Sequence, residues 1–119
     1  MPRVRVPEEI IKLTKRAIDE NQALPISQRA AYKDEGGKRV PGTGMRTARR
    51  LVSGSVDREQ LELMRAWFAR HEESPGEKEA RKDKTSKASR AWRLWGGSPG
   101  ARWVRSVLRD MEREDKKKK

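Results

Sequence analysis

Between Ser86 and Met111 the apolar residues fall on two stripes of helical period. Ala88, Ala91, Trp92 and Trp95 stand at i, i+3, i+4 and i+7, one face of a 3.6-residue helix. Trp103, Val104, Val107, Leu108 and Met111 repeat the spacing downstream. Gly96 lies where a left-handed cap would end the first helix, and Ser98 with Pro99 offers an N-cap and first helical residue for the second. The pattern predicts a helix–turn–helix hairpin whose tryptophans hold the fold together.

Upstream, the same reading yields four more helices. Pro7 can open a helix with Glu8 and Glu9 near its positive end. Ile10, Ile11, Leu13, Thr14, Ala17 and Ile18 give that helix an apolar face through about Gln22. A short helix over 26–35 would be capped by Ser27, with Ala30, Ala31 and Tyr32 inward. The run GGKRVPGTG, to Gly44, reads as a turn-rich connection, since no Gly-Lys-Ser/Thr completes a phosphate-binding loop and no strand precedes it. Thr43 or Gly44 can cap a helix from Met45 to Val52, with Met45, Ala48, Leu51 and Val52 inward. Asp57 and Gln60 form a capping box with Val56 stapled to Leu61. That helix continues to Arg70 or His71, with Leu61, Met64, Trp67 and Phe68 as its core stripe and Leu63 beside it.

The expected architecture is all-α: about five short helices around a small tryptophan-rich core. Residues 1–6 read as a flexible arm, 7–111 as one helical domain and 112–119 as a basic tail. Within the domain EESPGEKEARKDKT, 72–85, holds no apolar group larger than alanine and reads as a mobile, solvated loop.

Composition sharpens this picture. In 119 residues only 33% are hydrophobic and 40% are charged. A small core is therefore built from large side chains, and a buried indole covers on the order of 200 Å². Thirty Lys and Arg against eighteen acids give a net charge of +12. Residues 76–97 carry seven bases and three acids, and 98–119 carry eight and four, so the excess lies toward the C-terminal end. A field of this sign favours polyanions, nucleic acid first. Without cysteine there are no disulfides and no thiolate sites. No apolar run approaches a membrane span, and MPRVRVPEEI lacks the apolar core of a secretory signal, so a membrane partner is not expected.

Catalytic and metal-binding chemistry finds little support. His71 is the single histidine, with no second His or Cys at ligand spacing, and reads as a helix-end residue interacting with the dipole. The acids alternate with bases along helix faces, as solvated faces do. No enzyme activity, metal or cofactor is expected. The tryptophans could stack on single-stranded bases, but one-sided helical spacing reads as core.

The basic residues carry the functional signal, in three groups. Lys82, Lys84, Lys87, Arg90 and Arg93 run into the first helix of the hairpin; Arg102, Arg105 and Arg109 lie on the second; Arg46, Arg49 and Arg50 lie on the helix after the glycine-rich run. Gathered on one face, they would track phosphates with weak sequence selectivity, DNA before RNA. On this reading, Arg90 and Arg93 contribute to affinity for every sequence alike.

Finally, GTGMRTARRLVSGSVDREQLELMRAWFARHE followed by SKASRAWRLWGGSPGARWV resembles a small domain of bacteriophage-encoded proteins. The matching residues are Gly42, Gly44, Ala48, Arg49, Leu51, Met64, Phe68, Arg70, His71, Glu72, Trp92, Leu94, Trp95, Gly96, Gly97, Gly100 and Trp103. The resemblance implies a phage protein tied to head, packaging or DNA-related functions, in the infected bacterial cytoplasm or the virion. It carries no catalytic residues. The alternative it leaves is an assembly or host-takeover module that docks on a phage or host protein through an apolar patch at Leu94, Leu63 and Tyr32.

Overall fold

The computed structural model of the protein describes residues 3–118. Its first strand, β1 (Val4–Arg5), pairs antiparallel with β4 (Ser55–Val56), Val4 opposite Val56. Arg3 donates to Ser55 Oγ at 2.9 Å and to its carbonyl at 2.7 Å, and the Val6 amide donates to Gly54 at 2.9 Å. Val6 is buried in the core. Residues 3–6 are thus a latch and not the expected arm: the prolines that forbid helix here leave extended pairing open. Met1 and Pro2 lie outside the described residues.

Helix α1 (Glu8–Gln22) buries Ile10, Thr14, Ala17 and Asn21 along one face, with Pro7 as the N-cap and not the first helical residue. The Asn21 side chain accepts from the Ala30 amide at 2.9 Å and donates to the Ala30 carbonyl at 3.0 Å. That pairing fixes the return of the chain, and no helix forms over 26–35. Instead a single 3-10 turn (Ile26–Gln28) leads to Ala31 at φ +60°, then to the hairpin β2 (Tyr32–Glu35) and β3 (Lys38–Pro41). Gly36 and Gly37, at φ +58° and +79°, supply the two positive dihedrals of a tight hairpin turn. The YKDE stretch has no helical apolar face to oppose this outcome.

Gly42 caps α2 (Thr43–Val52), which buries Met45, Ala48 and Leu51. In α3 (Arg58–Glu72) the Asp57 carboxylate accepts from the Gln60 amide at 2.9 Å, as the capping box requires. The Gln60 side chain does not return to the cap. It donates to Thr47 Oγ1 at 3.1 Å and accepts from Arg50 at 2.6 Å, tying α3 to α2.

The stretch 72–85 is not a structureless loop. Pro75 opens α4 (Pro75–Ala80), and Arg81 behind it donates to the carbonyls of His71 and Glu72 at 3.0 and 3.2 Å. Its guanidinium also covers the Trp92 ring at 4.2 Å. Ser86 caps α5 (Lys87–Leu94), and the chain passes Gly96 at φ +108° into α6 (Gly97–Lys117). Gly96 performs the turn as expected, but it is also the N-cap. Ser98 Oγ instead accepts the Trp92 indole N–H at 3.2 Å. The long helix takes in most of the expected 112–119 tail; Lys119 lies outside the described residues.

Among the described residues the protein therefore has six α-helices and two two-stranded sheets, mainly helical and all-α only in outline. The main core joins Ile10, Leu51, Leu61, Met64, Phe68, Trp95, Val104 and Leu108. Trp67 stacks on Trp95 at 4.6 Å and on His71 at 4.3 Å, while Trp92 meets the edge of Phe68 at 5.0 Å. Trp103 packs against the same core without joining these ring contacts. A smaller cluster of Ala17, Ala30, Met45, Ala48 and Leu94 fills the space between α1, α2 and α5.

Candidate nucleic-acid interface

The basic residues divide sharply once their partners are known. Arg93 donates to Glu20 at 2.5 Å, to the Lys84 carbonyl at 2.7 Å and to the Ser89 carbonyl at 3.3 Å. Arg90 donates to the carbonyls of Thr85 and Gln28. Both guanidiniums hold the turn before α5 against α1 and the 3-10 turn, so they are structural clamps and not free phosphate ligands. Arg105 pairs with Glu72, Lys82 with Glu79 at 3.0 Å, and Arg50 with Gln60. Arg46 leans on Thr43 Oγ1 at 3.1 Å but stays exposed. Among the described residues Arg49, Lys84, Lys87, Arg102 and Arg109 are exposed, and none of their charged groups meets a partner.

The freest group follows α6. At about 100° per residue, Arg102, Arg109, Arg113 and Lys116 fall within an arc about 60° wide and about 21 Å long. All four are exposed. Asp110 and Glu112 lie about 80° to either side of Arg102, with Glu114 and Asp115 farther round. Two of these acids are also occupied on the other side of the helix. Glu112 accepts from Arg65 at 3.0 Å and Asp115 pairs with Arg58 at 2.8 Å, both arginines belonging to α3. The Arg65 hydrogen bond holds the Glu112 carboxyl below the usual carboxylate range. In the same way Arg105 holds Glu72 below it, and Glu112 raises Arg65. Only Arg113 has a carboxylate nearby, Asp110 at 3.9 Å on an open surface. Glu112 and Asp115 are thus drawn toward α3, while Asp110 borders the stripe at Arg113 and Glu114 pairs with Lys117 at 3.6 Å.

Sequence reasoning found Arg102 and Arg109 but missed Arg113 and Lys116, because REDKKKK reads as a fraying end. The available signal was helical spacing: Arg113 lies four residues after Arg109, and Lys116 seven after Arg109 and fourteen after Arg102. The arginines of α2 do not join the stripe directly: α2 packs chiefly on α1, and α6 chiefly on α3.

The aromatic rings offer no platform for bases. Trp67 has a stacking partner in both Trp95 and His71, Trp95 is only 3% exposed, and Arg81 covers Trp92. His71 itself is engaged through Nδ1 with Glu77 at 2.8 Å, which ties α4 to α3. The apolar patch expected at Leu94, Leu63 and Tyr32 does not form, since Leu94 is fully buried in the smaller cluster. Leu63 and Ile26 remain the exposed large apolar side chains, on separate elements. Among the described residues no helix is long and apolar enough to cross a membrane. No protein-family model, no curated protein and no solved structure matches the chain.

Proposed function

We propose that the protein binds nucleic acid without catalysis, through phosphate contacts made by Arg102, Arg109, Arg113 and Lys116. The observation that carries this reading is the arc on α6, four exposed cations in line, while two of the helix's carboxylates, Glu112 and Asp115, are engaged by α3. Lys84, Lys87 and Arg49 add a diffuse field around it. Duplex DNA is favoured over single strands and RNA loops, whose recognition rests on stacking bases against open aromatic faces. The arc carries no amide to read adenine, and with its arginines, whose forks could otherwise meet guanine, engaged on phosphates, selectivity among sequences is weak. The resemblance to a phage-encoded domain points to action on DNA in the infected cell or during head filling.

The test is the salt dependence of binding to a labelled duplex, followed by fluorescence polarisation. Each neutralised phosphate contributes about 0.9 to the slope of log K against log salt, so four contacts contribute about 3.6. Over a fourfold rise in salt they account for an affinity loss on the order of 10²-fold. The variant Arg102→Gln/Arg109→Gln/Arg113→Gln/Lys116→Gln should bind more weakly and lose that share of the slope. A variant that keeps the wild-type slope refutes the assignment.

A further inference from the structure

The arginines of α2 form a face of their own. At about 100° per residue, Arg46, Arg49 and Arg50 fall within an arc about 100° wide, turned away from the buried side of Met45, Ala48 and Leu51. All three are exposed, and α2 holds no carboxylate. Arg46 meets the Thr43 hydroxyl at 3.1 Å and Arg50 the Gln60 amide oxygen at 2.6 Å. Those partners are neutral, and Arg49 has none, so the three charges stay uncompensated by any paired carboxylate among the described residues.

This face and the α6 arc lie on different flanks of α3. Arg58, Arg65 and Glu72, which bind Asp115, Glu112 and Arg105 of α6, occupy an arc of α3 about 40° wide. Gln60, which binds Thr47 and Arg50 of α2, lies about 120–160° round from them. Between the two flanks the outer side of α3 exposes Glu59, Leu63 and Ala66. A carboxylate and two apolar groups stand where a continuous phosphate track would need cations. On the other side of the molecule α1, which packs against both α2 and α6, exposes Glu8 and Asp19 among Lys12 and Lys15. Neither route joins the two basic faces into one.

We propose that the protein bridges two DNA duplexes. One lies along Arg102, Arg109, Arg113 and Lys116, and the second lies against α2, with Arg46 and Arg49 on its phosphates and Arg50 adding charge beside them. The inference rests on the reading of α6 as a phosphate-binding arc. Arg49 adds to the field at α6 from a distance, while its own contact is made at α2. With fewer contacts than α6, the α2 face takes the second duplex once the first is bound. Two contacts add about 1.8 to the salt slope, so bridging should lose about tenfold more than single-duplex binding over a fourfold rise in salt.

The test uses the full chain, a short duplex fixed to beads and the same duplex, fluorescently labelled, in solution. Wild type should carry labelled duplex onto the beads. Capture should rise and then fall as protein exceeds duplex, because excess protein occupies every duplex singly. Arg50 ties α2 to α3 and is left unchanged. Arg46→Gln/Arg49→Gln should keep single-duplex affinity, read by polarisation, within about twofold and lose capture at least about tenfold. Arg46→Lys/Arg49→Lys, which keeps the charge, should capture as wild type does. The proposal is overturned if wild type binds one duplex with the salt slope of the α6 arc and captures no second, a result that leaves the α6 assignment standing. It is overturned equally if Arg46→Gln/Arg49→Gln captures as much as wild type, since the bridge then lies elsewhere. A protein that binds no duplex at all overturns both readings together.

Discussion

Replacing Arg93 with alanine should damage the fold and spare the nucleic-acid contact, the reverse of what its charge alone implies. The side chain is 25% exposed and Glu20 47%, so the ion pair by itself contributes at most about 1 kcal/mol. The two carbonyls add more. A hydrogen bond from a charged donor contributes about 1.5–3 kcal/mol in a protected setting. Lys84 and its surroundings are solvent-facing, and that value is reduced accordingly. Together the loss comes to about 1–3 kcal/mol. For a chain of this length each kcal/mol lowers Tm by about 4 °C, so Arg93→Ala should melt about 4–12 °C below wild type. The control is Arg102→Ala, exposed and without a partner, whose stability should stay within about 0.5 kcal/mol of wild type. Circular dichroism melts give the stabilities, and polarisation with the same duplex, well below both melting points, gives the affinities. Arg102→Ala should lose affinity and Arg93→Ala should keep it. A thermally unaffected Arg93→Ala that binds DNA as poorly as Arg102→Ala would refute the clamp.

Two glycines make opposite predictions in urea denaturation. A Cβ on Gly76 meets nothing within 4 Å, so Gly76→Ala should stabilise by about 0.4–1 kcal/mol through the unfolded chain. Gly44→Ala should cost about 1–3 kcal/mol, because Ala31, itself at φ +60°, has no room to yield; equal effects at both sites would contradict the packing. The Glu72 carboxyl is held below the ordinary range by the Arg105 hydrogen bond. Its stabilisation is therefore present above the unfolded carboxylate pKa of about 4.3 and lost as pH falls through the lower folded value. Glu72→Gln should lower stability at neutral pH by at most about 1 kcal/mol and lose less than wild type on acidification. An acid limb unchanged by the substitution would dismiss the pair.

The parts of the fold legible in the sequence are those where periodicity and caps agree. Asp57 caps α3 as read, Gly96 turns the chain between α5 and α6, and Leu61, Met64, Phe68, Trp95, Val104 and Leu108 are buried as their spacing requires. What was illegible depends on partners distant in the chain. Residues 32–41 form a hairpin because Asn21 captures Ala30 and two glycines turn positive, neither of which a local window reveals. Likewise α4 has no apolar face of its own and is held by Arg81 and by Glu77 on His71. For the candidate interface, residue type marked the cations, but only the structure separates clamps from free charges.

That separation follows from how a chain so poor in apolar residues closes its loops. Arg29 donates to the carbonyls of Gln22 and Leu24, just where α1 ends. Arg81 does the same for the end of α3, and Arg90 and Arg93 do it around the turn that leads into α5. Each guanidinium carries five donors in a rigid fork, enough to satisfy two carbonyls that a larger core would shelter. Part of the +12 charge is therefore spent as loop closure, and net charge overstates the surface left for a polyanion. Lysine cannot take that role with the same geometry, so Arg→Lys at 29, 81, 90 or 93 would preserve charge and lose structure. On the α6 arc, where only charge is asked for, the same exchange should be tolerated. The contrast between those two responses distinguishes a basic protein built to bind polyanions from one that is basic because arginine holds it together.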